Sequence, residues 1–252
     1  MHKINPSNKK INFNYKKMHK KIILITGASS GIGKFLAIEL AKKKYEIILS
    51  SRSEGRLQET AKEIDRLKTP CHIIPADLSD VNSISELYEK SADIGFVETV
   101  VNNAGFGKFD KIEDVSINDW DDQISVNLKA PFLLTKLFSK SMIESKKGMF
   151  VYINSVAGKK AYPFSSAYVT SKFGLRGFSR SVREEFREHG IKVVSVHPGA
   201  VDTGFWNKLN VDFPRREMMS SENVAKSIAH CICSPDNLVI EEIDIQRIKG
   251  EF

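Results

Sequence analysis

The feature that most constrains the fold is a strand, a glycine-rich turn and a helix that follow one another directly near the start of the chain. Ile22–Ile25 is a continuous β-branched and aliphatic run, which is typical of a strand buried on both faces. The turn Thr26–Gly33 has the spacing G-x-x-x-G-x-G, and a helix is predicted over Lys34–Lys44. This arrangement directs backbone N–H groups and a positive helix end toward a phosphate. A simple strand–helix connector is the alternative.

The rest of the chain repeats the alternation of strand and helix patterns. Further strands are predicted at Glu46–Ser50, His72–Pro75, Val97–Asn102, Met149–Asn154, Lys192–His197 and Val239–Ile243. Further helices are predicted at Gly55–Leu67, Val81–Lys90, Ser116–Ser145, Ser166–His189 and Ser221–Cys233. The pattern predicts an α/β fold, a doubly wound parallel sheet of about seven strands with helices on both faces. Ligands of such sheets bind outside the carboxyl ends of the strands.

The basic charge of the chain is confined to its beginning. Seven lysines in residues 1–21, which contain no Asp or Glu, account for the whole formal charge of +7, and the remaining chain is balanced. A nucleic-acid partner is therefore disfavoured. We predict a basic, disordered tail over residues 1–19, with Met18 as an alternative start, and a single domain over residues 20–252.

Composition also argues against membranes and metals. No stretch of about 18 consecutive apolar residues occurs, so no membrane span is expected. Cys71, Cys231 and Cys233 are too few and too scattered for a disulfide framework or a metal site. Reduced thiols suit a cytoplasmic protein, and that is the expected location.

Three residues in the second half of the chain suggest acid–base chemistry. Tyr168 and Lys172 are four apart in a predicted helix and share one face, where the cation favours the phenolate and lowers the tyrosine pKa. Taken alone, Tyr-x-x-x-Lys is a weak signal. Ser155, at the end of a predicted strand, adds a hydroxyl that can reach the same carbonyl oxygen as Tyr168.

Several motifs together carry a family resemblance. They are Thr26-Gly-x-x-x-Gly-x-Gly33, Asp77-Leu78, Asn102-Asn-Ala-Gly105, Asn127, Ser155, Tyr168-x-x-x-Lys172 and Pro198-Gly199-x-x-x-Thr203. In these motifs the chain resembles the short-chain dehydrogenase/reductase family, in its compact single-domain branch. The resemblance implies a Rossmann fold, a nicotinamide cofactor and hydride transfer between that cofactor and a carbonyl or secondary alcohol.

The resemblance also implies residue roles. Ser155 would bind the carbonyl oxygen, Tyr168 would act as general acid or base, and Lys172 would lower the Tyr168 pKa and hold the nicotinamide ribose. Asn127 would hold a water behind Lys172; the alternative is an ordinary polar helix residue. The implied cofactor-binding residues are Gly27, Ser29, Ser30, Gly31, Ile32, Gly33, Ser51, Arg52, Asp77, Leu78, Asn103, Ala104, Gly105, Tyr168, Lys172, Pro198, Gly199, Val201 and Thr203.

The end of the second predicted strand indicates which nicotinamide cofactor is used. Residues 49–53 contain no Asp or Glu but contain Arg52. A carboxylate there would repel a 2′-phosphate, whereas a guanidinium can pair with it bidentately. Some NADP-binding members of the family that the chain resembles carry a second Lys or Arg in the glycine turn, where this chain has Ser30. The predicted preference for NADP(H) therefore rests on Arg52, with hydrogen-bonding help from Ser51 and Ser53. We predict NADP(H); the alternative is that Arg52 is a solvated loop residue.

The substrate region is the least determined by sequence. The segment Gly204–Glu217 carries the apolar residues Phe205, Trp206, Leu209, Val211 and Phe213. The resemblance implies that this segment covers the substrate pocket; packing on its own domain is the alternative. Arg215 and Arg216 could meet an acidic group or be solvated. The C-terminal strand lacks the Gly-Gly pattern of the ketoacyl reductases in the family. This absence favours 3-hydroxy acids, small ketones or other carbonyl compounds as substrates.

We therefore expect an NADP(H)-dependent carbonyl reductase or alcohol dehydrogenase that acts on a small molecule. A non-catalytic NADP-binding regulator or scaffold of the same fold is the second hypothesis. The long apolar stripes of the predicted helices Ser116–Ser145 and Ser166–His189, which family members pair across two-fold axes, predict a homodimer or homotetramer.

Overall fold

A seven-stranded parallel sheet forms the centre of the molecule. The computed structural model describes residues 21–208 and 214–251. The strands are β1 (Ile22–Thr26), β2 (Glu46–Ser50), β3 (Cys71–Ile73), β4 (Val97–Asn102), β5 (Gly148–Ile153), β6 (Ile191–Pro198), β7 (Val201–Asp202), β8 (Met219–Ser220) and β9 (Glu242–Ile245). The sheet order is β3-β2-β1-β4-β5-β6-β9, and β7 pairs with β8 separately. The order reverses between β1 and β4, which is where such sheets bind ligands.

Helices cover both faces of this sheet. They are α1 (Gly31–Lys42), α2 (Glu54–Asp65), α3 (Val81–Ile94), α4 (Ile117–Ile124), α5 (Ala130–Ser145), α6 (Ser166–Phe186) and α7 (Ser221–Ile232). Successive residues of β1 point to opposite faces, so Ile23 packs in one buried cluster with α1, α2 and α7, and Leu24 in another with α3, α5 and α6. The predicted α/β doubly wound fold of about seven strands is confirmed.

The predicted helix Ser116–Ser145 is interrupted. A π-helical turn, Ser125–Lys129, separates α4 from α5. Pro131 stands at the start of α5 and has no N–H to donate to the preceding turn, which is compatible with wider winding there. The turn contains Asn127, one of the predicted site residues, and the side chain of Asn127 is buried.

The last strand lies later in the chain than predicted. The sequence favours Val239–Ile243, whereas β9 covers Glu242–Ile245. Its bounds are set by pairing with β6, where Ser195 lies opposite Glu242. Val239 packs against the core without joining the ladder, so its apolar character reports burial rather than strand pairing.

The predicted tail, and the predicted absence of a membrane span and of a metal site, can be compared only with the residues that the structure describes. The predicted tail over residues 1–19 lies outside them. No helix within residues 21–208 and 214–251 has the length and apolar character that a membrane span requires. In the same residues no group of three or more His, Cys, Asp or Glu side chains is arranged to hold a metal ion.

Candidate active site

A cleft of about 760 Å³ opens at the carboxyl ends of the central strands. Most of the predicted catalytic and cofactor-binding residues line it. They are Gly27, Ser29, Ser30, Gly31, Ile32, Ser51, Arg52, Asp77, Leu78, Asn103, Ala104, Gly105, Ser155, Tyr168, Lys172, Pro198, Gly199, Val201 and Thr203. Two predicted residues, Gly33 and Asn127, pack behind the wall instead of forming it.

The glycine turn after β1 leaves space beside the first turn of α1. Gly27 and Gly31 have φ angles of 65° and 54°, which favour glycine. A Cβ on Gly33 would lie 2.5 Å from both the Gly27 carbonyl oxygen and the Asn103 side chain, so Gly33 allows helix and turn to pack closely. Ser30 makes no side-chain cap hydrogen bond, and no acidic residue lies in the first turn. The backbone and the helix dipole at this end therefore suit a phosphate.

Thr26 and Asn103 fasten this turn to β4. The Thr26 hydroxyl donates to the Val101 carbonyl (3.2 Å) and accepts from the backbone N–H groups of Asn103 (3.0 Å) and Ala104 (3.1 Å). The Asn103 side chain donates to the Thr26 carbonyl (2.8 Å). The Asn103 amide is thus committed to the scaffold, where it holds the backbone of the glycine turn against the end of β4.

Two arginines line the cleft beyond the end of β2. Arg52 is exposed there, and Arg56, one helical turn further on in α2, lies beside it and donates to the Ser53 hydroxyl (3.1 Å). From the sequence only Arg52 was predicted to meet a 2′-phosphate, and Arg56 was missed. Its place in the first turn of the helix after this strand end, four residues beyond Arg52, was the sequence signal for it.

Asp77 lines the same cleft and is close enough to Arg52 to feel its charge. Its carboxylate accepts from the backbone N–H (3.0 Å) and hydroxyl (2.8 Å) of Ser79. The hydrogen bond from the Ser79 backbone is the main cause of a lowered Asp77 pKa, and Arg52 adds to it. Asp80, not Asp77, caps α3. The Asp77 carboxylate is therefore not used to cap the helix that follows it.

Ser155, Tyr168 and Lys172 meet at the other end of the cleft. The Ser155 hydroxyl accepts from the Ala157 backbone N–H (3.1 Å) and is hydrogen-bonded to the Tyr168 hydroxyl. Lys172 is 4% exposed, donates to the Ile153 carbonyl (3.0 Å), and its Nζ lies 5.7 Å from the centre of the Tyr168 ring. A neutral hydroxyl pair next to a buried cation can bind and protonate an oxygen atom.

In the protein without a bound cofactor, burial is the main influence on the pKa values of Tyr168 and Lys172. It raises the pKa of Tyr168 to about 12, opposed by the hydrogen bond with Ser155. It lowers the pKa of Lys172 to about 8. Lys172 was predicted to lower the Tyr168 pKa. Without a bound cofactor, burial is the largest influence on the Tyr168 pKa and raises it, because the charged form of a buried group loses hydration.

Asn127 joins three segments behind this group. Its side chain accepts from the Phe106 backbone N–H (3.0 Å), donates to the Phe106 carbonyl (2.9 Å) and donates to the Ser171 hydroxyl (3.0 Å). It is 1% exposed. These contacts tie the loop after β4 to α6, directly beside Lys172, so Asn127 is more than an ordinary polar helix residue.

The other two tyrosines near this region have different surroundings. Tyr152 is fully buried in the core and bonded to Thr135 (2.7 Å), and burial raises its pKa. Tyr162 lines the cleft and is hydrogen-bonded to Glu251, and burial again raises its pKa. Lys160 lies 5.4 Å from the Tyr162 ring centre, but Lys160 is exposed and paired with Glu251, whereas the lysine beside Tyr168 is buried.

His197 lies directly behind Ser155; from the sequence it was predicted only as the last residue of a strand. It is fully buried; Nδ1 is 3.1 Å from the Ser155 carbonyl oxygen and Nε2 is 3.1 Å from the Ser195 hydroxyl. A carbonyl oxygen can only accept, so Nδ1 carries the proton and Nε2 accepts from Ser195. Burial lowers the His197 pKa to about 4, so the ring is neutral at physiological pH.

Aromatic residues that the sequence analysis missed line the cleft near Tyr168. The loop after β4 contributes Phe106 and Phe109, and the C-terminal segment 246–251 closes one side. Of the predicted apolar segment, Phe205 and Trp206 line the cleft, whereas Leu209, Val211 and Phe213 lie outside the described residues. The only sequence signal for these aromatic residues of the cleft was the occurrence of Phe106 and Phe109 around Gly107.

The two arginines of the same segment differ. Arg215 is bonded to the Asp202 carboxylate (2.7 Å) and to Asn207 (2.8 Å), and Arg216 is exposed to solvent. Arg215 therefore stabilises the segment after β7.

Comparison with known proteins identifies the family. The short chain dehydrogenase family profile matches residues 21–213, and the chain belongs to this family. A sepiapterin reductase from Chlorobaculum tepidum is 33% identical, covering 92% of this chain and 98% of that protein. An alcohol dehydrogenase from the archaeon Thermococcus sibiricus, complexed with 5-hydroxy-NADP, superposes with a TM-score of 0.86 at 27% identity, over 92% of this chain and 99% of that one. A metagenomic short-chain oxidoreductase in complex with NADP has a TM-score of 0.79 at 30% identity, over 89% of this chain and 96% of that one.

Proposed function

We propose that the protein is an NADP(H)-dependent oxidoreductase that interconverts a carbonyl compound and a secondary alcohol. The observation that carries the proposal is the cleft with a phosphate-compatible glycine turn and two arginines at one end, and Ser155, Tyr168 and Lys172 at the other. When bound, NADPH supplies the hydride. The hypothesis of a non-catalytic regulator is not favoured, because it gives no reason for a buried cation beside a paired serine and tyrosine.

The preference for NADP(H) rests on the residues beyond β2. Arg52 and Arg56 provide two guanidinium groups for a 2′-phosphate, and Ser51 lies between them and the strand end. The solved relatives with NADP or 5-hydroxy-NADP have the same fold. Gly27, Gly31 and the open first turn of α1 suit the pyrophosphate.

The residues at the other end perform the proton chemistry. The Ser155 hydroxyl donates to the carbonyl oxygen, where negative charge develops as the carbon is reduced. Tyr168 then gives its hydroxyl proton to that oxygen. With a pKa of about 12 in the protein alone, Tyr168 holds this proton at neutral pH, which is the state that reduction requires. Lys172 stabilises the phenolate left behind, and Asn127 holds the loop and helix on either side of Lys172.

Replacing Tyr168 tests the proposed reaction. Tyr168→Phe removes the proton donor and keeps the ring, so we expect NADPH oxidation at 340 nm with a panel of ketones, aldehydes and diketones to fall by roughly 10²–10⁴-fold. NADPH binding, followed by fluorescence titration, stays as in the wild type. Tyr162→Phe is the matched control and retains turnover. Unchanged turnover in Tyr168→Phe would refute the assignment.

Reversing one charge tests the cofactor preference. Arg52→Asp places a carboxylate beside the 2′-phosphate, and we expect the Kd for NADPH to rise by roughly ten- to hundredfold, since charge-assisted hydrogen bonds are lost and repulsion is added. The Kd for NADH changes much less, because NADH has no 2′-phosphate. Arg66→Asp, at the far end of α2, is the control. Equal losses for both nucleotides would argue against this role of Arg52.

A further inference from the structure

Three aromatic rings from separate segments meet at the proposed reaction centre. Phe109, after β4, and Phe205, after β7, have ring centres 5.7 and 5.5 Å from that of Tyr168 and 6.1 Å from each other. A Cβ on Gly107 would lie 2.8 Å from the Phe205 ring and 3.0 Å from that of Phe109, so Gly107 makes room for both. The wall beside the Tyr168 ring therefore consists of aromatic faces and edges.

Two neighbouring residues support and extend this aromatic wall. Trp206 donates from its ring nitrogen to the Val201 carbonyl (2.9 Å), and its ring centre lies 5.4 Å from that of Phe205. Phe164, at the mouth of the cleft, is 60% exposed and has a left-handed φ of 62°, a conformation uncommon for phenylalanine. Its carbonyl accepts from the Asp110 backbone N–H (2.7 Å), which ties it to the loop of Phe109.

Three cations around this end of the cleft are engaged in ion pairs, whereas the buried Lys172 donates to the Ile153 carbonyl beside Tyr168. Arg247 lies 3.3 Å from Glu217, and Lys160 lies 2.6 Å from Glu251. Arg215 is held by Asp202 in the same way. A substrate carboxylate would have to displace one of these pairs, draw Lys172 away from Tyr168, or remain buried without a counter-charge, which is costly.

We infer that the substrate is an uncharged carbonyl compound with an aromatic ring next to the carbonyl, packed against Phe109 and Phe205. The inference rests on the proposed reduction and defines its substrate class. The carbonyl carbon gains a hydride and its oxygen gains the Tyr168 proton, so the product is an aryl-substituted alcohol. Ring–ring contacts add affinity beyond the area buried, and a saturated ring of the same size lacks them. Small 3-hydroxy acids, one of the classes that the sequence favours, do not match this wall.

A matched set of three ketones tests the inference. Acetophenone carries the aromatic ring, cyclohexyl methyl ketone is its saturated counterpart, and acetoacetate carries a charge. With wild-type protein and NADPH, we expect kcat/KM for acetophenone to exceed that for cyclohexyl methyl ketone by roughly tenfold, as two aromatic contacts provide. Acetoacetate is the poorest of the three. In Phe109→Leu/Phe205→Leu the ratio of the first two falls toward one, whereas Phe132→Leu, outside the cleft, keeps the wild-type ratio.

The outcomes separate this inference from the proposed function. If the saturated ketone or acetoacetate is reduced as well as acetophenone, the reductase activity stands and the substrate class is wrong. If no ketone is reduced with NADPH, the proposed reaction fails for this set, and calorimetry on the NADP-loaded protein decides the inference alone. Tighter binding of acetophenone than of cyclohexyl methyl ketone, lost in the double leucine variant, supports it; equal binding overturns it.

Discussion

At the scale of single residues, His197 shows how a side chain outside the cleft can control one inside it. Its protonated Nδ1 holds the Ser155 carbonyl, and Ser195 fixes the tautomer from the other side. The hydrogen bond acts on the backbone that carries the Ser155 hydroxyl. We therefore regard His197 as a positioning residue for Ser155.

Two amide substitutions distinguish the roles of Nδ1 and Nε2 of His197. His197→Asn keeps a donor near the Nδ1 position, whereas His197→Gln moves the amide toward the Nε2 position and loses the bond to Ser155. We expect kcat to fall by roughly tenfold or more in His197→Gln and to recover most of this loss in His197→Asn, because small misplacements of a reacting group are costly. NADPH affinity and KM change little in either variant. Equal kcat losses in both variants would assign His197 a purely structural role.

Acid sensitivity provides a second measurement on the same residue. Burial lowers the His197 pKa to about 4 despite the hydrogen bond to Ser155; Lys159 lowers it further, while Glu242 and Asp244 act in the opposite direction. The unfolded chain therefore binds a proton near pH 6.5 that the folded chain does not accept until about pH 4. The contribution of neutral His197 to the free energy of unfolding is complete above pH 6.5 and is lost as the pH falls toward 4. In urea titrations, His197→Asn loses less stability over this range than the wild type.

At the scale of helices and strands, the sequence predicted the elements whose burial is uniform. The apolar runs of β1, β2 and β4 are buried in a parallel sheet, and such strands leave a continuous hydrophobic signal. The bounds of β9 were wrong because pairing with β6, a contact distant in sequence, decides them. The π-helical turn at Asn127 was missed because its apolar pattern continues that of the flanking helices.

The candidate site divides in the same way between predicted and missed residues. Gly27 and Ser155 follow strand ends and Tyr168 lies in the first turn of α6, all within motifs whose spacing along the chain predicts their position in space. Arg56 and Phe109 lie outside such motifs, and only the folded arrangement of α2 and of the loop after β4 brings them to the cleft. Substrate-side walls depend on loop conformation, which residue types alone do not determine.

At the scale of the whole molecule, the two ends of the cleft belong to different parts of the sheet. Residues after β1 and β2 form the nucleotide end, and those after β4, β5 and β6 form the reacting end. The Thr26 and Asn103 hydrogen bonds join the two parts at the switch point between β1 and β4. A change that loosens this junction is expected to affect cofactor binding and chemistry together.

An aromatic face on α5 and α6 lies away from the cleft and bears on assembly. Phe132 and Phe173 are each 43% exposed, and Phe132 packs edge-on against Phe178 at 6.1 Å between ring centres. Exposed aromatic patches of this kind mark contacts between proteins, and closed two-fold assemblies are the commonest arrangement. The predicted homodimer or homotetramer would bury this face.

Charge substitutions on this face test the assembly. In sedimentation velocity at micromolar concentration, we expect wild-type dimers or tetramers and smaller species for Phe132→Glu and Phe173→Glu, because an interface cannot bury an unpaired carboxylate without a large desolvation cost. Leu238→Glu replaces an apolar residue that is 50% exposed elsewhere and is the matched control. Circular dichroism checks that each variant keeps its fold. A monomeric wild type would refute the predicted assembly, whereas a variant that retains its partners would place the interface on another face and leave these phenylalanines exposed for a different reason.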